Sequence, residues 1–279
     1  MKTRFDAATG RFLLLTTFAL AALASSSKGQ IVTLVDGNSV VQINAGSSAG
    51  MFNWSVNGVN QLAQQQFWYR IGGAGPESSI NTLSAPTIVT PNAHTAFLTY
   101  NNGTLGVEAD YNLAGGTPGS GTSGMGESLT LVNHSASTME LHFFQYADFD
   151  LGGVTGGQTV TLSKNTFTGL FNDAYQTGAG GSVSETTVTP GGNHGEANVF
   201  NATLVKLNDG NPTTLNDNIS AGPGDVTWAL EWDLSIAPGA SQVISKTLVL
   251  TTVPEPGVLA FLSLGLVALA LIKRNRSAA

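Results

Sequence analysis

Three observations predict an all-β fold, an antiparallel β-sandwich. Short runs of apolar, β-branched and aromatic residues recur along the chain. Gly, Asn, Asp and Pro punctuate them at short intervals. Only 10% of the residues are charged, while 34 of 279 are glycine. This is the composition of turn-rich sheets rather than of helices.

The elements follow in order. A strand over 31–35 ends at Asp36-Gly37, a hairpin signal, and a strand over 39–43 answers it. The run 52–56 closes on Asn57-Gly58. Residues 60–66 read as a helix of one or two turns, and 95–100 with 104–111 form a hairpin around Asn102-Gly103. Strands over 127–132 and 138–149 are expected to pair around Asn133-His134-Ser135. Further strands are expected over 158–162, 183–188, 198–206, 226–234 and 241–252, the last two bracketing the Pro238-Gly239 turn. Strands joined by tight turns favour antiparallel pairing, and a dozen of them with almost no helix favour two packed sheets. The Gly-rich stretch 114–126 reads as a long surface loop, with a split into two β domains there as the alternative.

Both ends differ in kind from this middle. Near the N-terminus, Lys2, Arg4 and Arg11 precede a thirteen-residue apolar run from Phe12 to Ala24. Ala22-Leu23-Ala24 fits the small-x-small rule for signal cleavage, and thirteen residues are too few to span a bilayer. Residues 1–29 are therefore expected to be a signal peptide with a helical apolar run. At the other end, Pro254-Glu255-Pro256 is followed by fifteen uncharged residues, Val258 to Ile272, and then by Lys273, Arg274 and Arg276. As a helix this block spans about 22 Å. That is short of the ~30 Å hydrocarbon core, but snorkelling Lys273 and Arg274 extend its reach. The trailing cations place the C-terminus in the cytoplasm by the positive-inside rule. Residues 254–279 thus read as a membrane helix with a polar entry motif, and 30–253 as the mature β region.

The tail resembles the PEP-CTERM sorting signal of Gram-negative bacteria. Pro254-Glu255-Pro256, the apolar helix and the basic Lys273-Arg274-Asn275-Arg276 end stand in that signal's order. The resemblance implies recognition by an exosortase, cleavage near the Pro-Glu-Pro motif, and release to the cell surface or beyond after a transient membrane stage. It also implies a host that makes exopolysaccharide, with that polymer as a partner. Segments such as Phe67-Trp68-Tyr69-Arg70 and Phe144-Gln145-Tyr146-Ala147-Asp148-Phe149-Asp150-Leu151 look like mature parts of other PEP-CTERM proteins, whose activity is unassigned.

Charge narrows the partners. Of 18 acids only Asp6 and Glu255 fall outside 30–253, leaving 16 against four bases, Arg70, Lys164, Lys206 and Lys246, a formal charge near −12. Such a surface lacks the cationic footprint that nucleic acid requires. With no cysteine, disulfides, thiolate metal sites and cysteine nucleophiles are excluded.

No motif carries catalysis by itself. Gly119-Ser120-Gly121-Thr122-Ser123-Gly124 matches a phosphate-loop pattern, and Gly46-Ser47-Ser48-Ala49-Gly50 a nucleophile elbow, but each is followed by a strand where its chemistry needs a helix. His94, His134, His142 and His194 show no metal-pair spacing, and no metal or other cofactor is expected. Asp148 and Asp150, and likewise Glu231 and Asp233, share a face at period two. Such pairs serve as glycosidase acid and base or bind calcium, but a solvated sheet face is the plainer reading. Asp209-Gly210-Asn211 and Asn216-Asp217-Asn218 read as turns. Trp68, Tyr69 and Arg70 are the candidate ligand-binding residues, an aromatic strand able to stack on sugar rings if exposed, with core packing as the plainer alternative. The sequence therefore favours a non-enzymatic surface protein, structural or adhesive within an exopolysaccharide layer. A carbohydrate-binding module is the first alternative, and a secreted glycosidase or polysaccharide lyase the second.

Overall fold

The turn signals build the first hairpins. The computed structural model describes residues 30–253. β1 (Ile31–Asp36) and β2 (Ser39–Asn44) pair antiparallel around Asp36-Gly37. Glycine is required there, because φ at Gly37 is +51° and a Cβ would meet the Gly116 carbonyl oxygen at 2.1 Å. β3 (Gly50–Val56) turns at Asn57-Gly58, both at positive φ, into β4 (Val59–Asn60). β5 (Leu62–Ile71), β6 (Ser78–Ser79) and β7 (Thr87–Asn92) follow. β8 (Thr95–Asn101) and β9 (Leu105–Gly115) form the hairpin expected at Asn102-Gly103. Next come β10 (Thr122–Asn133), β11 (Met139–Phe149), β12 (Gln158–Lys164), β13 (Phe171–Gly178), β14 (Gly181–Thr189) and β15 (His194–Val199). A short helix α1 (Ala202–Leu207) precedes β16 (Ser220–Gly224), β17 (Val226–Ile236) and β18 (Ser241–Thr252).

The strands form two sheets of nine. The first runs β1-β2-β3-β5-β11-β17-β15, with β4 on β3 and β6 on β5. The second runs β16-β12-β13-β14-β18-β10-β9-β8-β7. Pairing is antiparallel except for the short β3–β5 contact. The expected antiparallel sandwich is present. The signal run with Ala22 and Ala24, the Pro254-Glu255-Pro256 motif and the expected membrane helix with Lys273, Arg274 and Arg276 lie outside the described residues. Among the described residues no helix is long and apolar enough to cross a membrane.

Several local expectations are corrected. Residues 60–66 are not helical but enter β4 and β5. Their glutamines alternate faces, and Gln64 and Gln66 reach the Ser48 and Ser47 carbonyls as strand side chains. The expected strand over 198–206 stops at Val199, where Asn201 takes φ +65° and α1 begins. The stretch 114–126 is mostly strand, since β9 ends at Gly115 and β10 begins at Thr122. β10 and β11 do not pair. They belong to opposite sheets, as do β17 and β18 around Pro238-Gly239. Both turns cross the sandwich, and buried Asn133 ties them together. Its Nδ2 donates to the carbonyls of Ser137 and Ile236, its N–H to Ala240, and its carbonyl accepts from Gly239.

Period-two alternation fills the space between the sheets. Phe149 stacks on Trp228 at 5.3 Å, and Phe67 on Phe143 at 5.8 Å. Trp54 and Trp232 close the same aromatic layer. A charged group stands inside it. Lys246 is fully buried against Glu127, with Glu185 at 3.7 Å. Gln65 donates to Glu127 and Gln145 to Glu185. Burial pushes the Glu185 carboxyl up, and the nearby Lys246 offsets this only in part.

Candidate functional site

The outer face of the first sheet carries an unusual set of side chains. Even-numbered residues of β5 and β11 point there, namely Gln66, Trp68 and Arg70, then His142, Phe144, Tyr146 and Asp148. β17 adds Thr227, Ala229, Glu231 and Asp233, and β15 adds His194, Glu196 and Asn198. α1 and the segment after it lie across the middle of this face. Leu204, Leu207 and Leu215 pack on Trp68, Phe144, Tyr146 and Ala229 as a second apolar core. Glu196 anchors the cover by accepting from Thr203 and Lys206. The cover leaves two polar margins at opposite ends of β11 and β17, six residues and about 20 Å apart along the strand.

At one margin the register sets His142 opposite Asp233. His142 Nδ1 lies 2.5 Å from Asp233 Oδ1 and 3.5 Å from Glu231 Oε1. With the Asp233 carboxylate accepting, a neutral His142 ring carries its proton on Nδ1 and presents Nε2 as an acceptor. From β15, His194 Nε2 reaches to 3.7 Å from Asp233 Oδ2, while its Nδ1 bonds Asp217 at 3.0 Å. Asp217 also meets Lys164 at 3.2 Å. Burial raises the Asp217 carboxyl, but bonds from Lys164, His194 and the Gly195 N–H outweigh it and hold it below its usual range. These side chains, from 24% exposed at His142 to 39% at Asp217, are open to solvent.

Glu231 is the exception, with no exposed side-chain surface. Oε2 accepts from the Leu215 N–H at 2.8 Å, and Oε1 has no hydrogen-bond partner. Desolvation pushes its carboxyl up to about 8, against the Leu215 bond that lowers it. Near neutral pH Glu231 is therefore largely a proton donor, beside a histidine with an acceptor nitrogen. That pairing sets a protonated carboxyl 3.5 Å from the imidazole Nδ1, beneath the exposed His142–Asp233 edge. Ligand atoms of His142, Glu231 and Asp233 also lie within 4.8 Å of one another, a spacing compatible with a metal. The His142–Asp233 hydrogen bond leaves no room for an ion between those two atoms. A second group, Asp148, Asp150 and Asp225, meets the same spacing at the other margin. A separate cleft of about 700 Å³ at one end of the sandwich, lined by Val56, Gln61, Gly119, Gly180 and Val253 among others, contains no titratable side chain.

The sequence-predicted residues fall as follows. Trp68, Tyr69 and Arg70 do not form a stacking platform. Trp68 is 1% exposed, edge-on to Tyr146 with its indole N–H on Asn208 Oδ1. Tyr69 points to the opposite face, against the inter-sheet core. Arg70 is sealed under the cover, bonded to Glu77 and to the Gly72 and Thr213 carbonyls. The carboxylate pairs do share a face as expected, but Asp148 and Glu231 are buried rather than solvated. His142 and His194 meet only because β11, β17 and β15 are neighbours. Asp217, read as part of a turn, supplies the His194 partner, and Asp225 was not singled out.

No known family profile and no curated protein matches the sequence. Solved structures do match the fold. A bacterial glucoamylase complexed with acarbose aligns with TM-score 0.55 and 10% identity over 86% of this chain. This chain spans 36% of the glucoamylase chain. A candidate aldose 1-epimerase from Escherichia coli K12 aligns with TM-score 0.53 and 12% identity over 80% of this chain and 99% of its own. The fold is galactose mutarotase-like. A galactose mutarotase-like protein from Clostridium acetobutylicum agrees, with TM-score 0.50 and 8% identity over 81% of this chain and 96% of its own. At these identities the likeness is one of fold.

Proposed function

We propose that this chain is an exported carbohydrate-recognising protein, matured by an exosortase at Pro254-Glu255-Pro256 and resident at the cell surface among exopolysaccharide. It binds a saccharide through His142, Asp233, His194 and Asp217 without turning it over. The observation that supports this most is the His142–Asp233–His194–Asp217 chain, open to solvent on a sheet whose fold is shared with carbohydrate-active proteins. It offers alternating donors and acceptors to sugar hydroxyls. The formal charge near −12 between residues 30 and 253 disfavours anionic polymers at low salt, so the ligand is a neutral or amino sugar. Glycan-array binding tests this. Neutral glycans retained by the chain and lost on His142→Ala support it, and equal binding by the variant overturns it.

One observation favours a second reading, acid–base turnover of an aldose. Glu231 holds its proton near neutral pH, 3.5 Å from His142 Nδ1. Anomer interconversion followed by polarimetry separates the two readings. Catalysed interconversion abolished by Glu231→Gln would establish turnover, and its absence with intact binding keeps the recognition role.

A further inference from the structure

The second margin of the first sheet brings three carboxylates together. Asp148 ends the outward row of β11, Asp150 follows at the strand exit, and Asp225 precedes β17. One carboxylate oxygen from each lies within 4.8 Å of the others. Asp148 is 4% exposed, and its buried Oδ1 has no hydrogen-bond partner. Oδ1 of Asp225 is sealed and unpartnered too. The buried hydroxyls of Tyr146 and Thr227, neighbours of one another, flank the group, and Thr227 stands opposite Asp148 in the ladder.

Among the described residues no Lys or Arg is free to balance the group. The four described bases are each committed elsewhere: Arg70 to Glu77, Lys164 to Asp217, Lys206 to Glu196, and Lys246 to Glu127. Holding the buried Asp148 carboxylate against two half-buried ones without a counter-charge is costly. We infer that Asp148, Asp150 and Asp225 form a calcium site, with the Thr227 and Tyr146 hydroxyls beside it as further oxygen donors. An all-oxygen set suits a hard cation. Its irregular geometry, from a strand end, a turn and a strand start, suits calcium better than magnesium, which demands a near-octahedral shell. The ion clamps the exit of β11 to the entry of β17. It also steadies the start of the cover, because the Asp225 carbonyl accepts from the Phe200 N–H just before α1.

The test uses the full-length chain in detergent after chelation, titrated with calcium chloride and followed by thermal melting and calorimetry. Calcium is expected to raise Tm by several degrees, with a dissociation constant at or below the ~1 mM range of extracellular modules. Asp148→Asn and Asp225→Asn are expected to weaken binding at least tenfold while leaving the calcium-free Tm unchanged or higher, since each removes a repelling charge. Asp150→Asn, at a half-buried position like Asp225, carries the same expectation should the Asp148 variant fail to fold. A wild-type Tm indifferent to millimolar calcium overturns the site. So does an undiminished response in Asp150→Asn, and an equal response to magnesium overturns the assignment to calcium.

Discussion

His142 Nδ1 and Asp233 Oδ1 stand 2.5 Å apart, on neighbouring strands, at the margin that the α1 cover leaves open. The contact fixes the imidazole tautomer and aims Nε2 away from the carboxylate. Asp233→Asn keeps the shape but replaces an obligate acceptor by a group that can also donate, releasing the tautomer. Saccharide binding is expected to fall at least tenfold. Because Asp233 is 36% exposed, stability should change by less than about 1 kcal/mol. Parallel calorimetry of binding and thermal melting checks the split, and a large loss of Tm would assign the pair to structure alone.

Glu231 makes stability fall with pH. Its folded carboxyl is raised from 4.5 to about 8, chiefly by desolvation, so the native state binds the proton more tightly than the unfolded chain. Between these values the unfolded state sheds a proton that the native state keeps, and stability declines as pH rises. Denaturant melts at pH 5 and 8 should show the decline, and Glu231→Gln should flatten its share of the profile. A variant with an unchanged slope would show that other groups govern the dependence.

Much of the fold was legible because turn chemistry is local. Asp36-Gly37 and Asn102-Gly103 announce hairpins by their residues alone, and both form. The identity of the sheet each strand joins is not local. β10–β11 and β17–β18 look like hairpins, yet each crosses the sandwich, and the tie through Asn133 joins carbonyls as far away as Ile236. β5 was hidden because its glutamines mask the strand pattern. The site was half legible. Period two put Glu231 and Asp233 on one face, but only the β11–β17–β15 order brings His142 and His194 to them. Asp225 follows Gly222-Pro223-Gly224, a context that reads as a turn and gives no hint of Asp148. For Trp68, Tyr69 and Arg70 the sequence offered a binding strand with core packing as the plainer reading, and burial of Trp68 and Arg70 follows the plainer one.

Asn133 should be more costly to lose than its turn position suggests. Asn133→Ala removes donors to the Ser137 and Ile236 carbonyls, and the acceptor for Ser135. Leaving the buried Ile236 carbonyl unpaired costs about 1–3 kcal/mol. A drop of that order in unfolding free energy is expected, and a drop below ~0.5 kcal/mol would show that water replaces the amide.

Lys246 offers a sharper contrast within one residue type. It is fully buried between Glu127 and Glu185, whereas Lys164 is 39% exposed against Asp217. Removing one partner of a buried pair typically costs about 3–5 kcal/mol, and of an exposed pair about 0–1 kcal/mol. Lys246→Ala should therefore destabilise severely and Lys164→Ala barely. Pairing Lys246→Met with Glu127→Gln and Glu185→Gln should recover much of the loss, since an uncharged set leaves no orphaned carboxylate. Equal melting of the two lysine variants would mean that water reaches the sandwich interior.

The sorting proposal makes a prediction that the fold sharpens. β18 stays paired to its last residue, Thr252, opposite Gly181, and the Val253 N–H donates to the Gly180 carbonyl. Pro254 follows immediately in sequence. Replacing Pro254-Glu255-Pro256 by alanines leaves every strand pairing of the described residues in place, and the sandwich should melt at an unchanged temperature. Processing should nonetheless fail. The variant is expected to accumulate in the membrane fraction with its tail intact by mass spectrometry, while the wild-type chain is recovered shortened near residue 254. Normal release of the alanine variant would remove the exosortase from the proposal and leave the saccharide site standing.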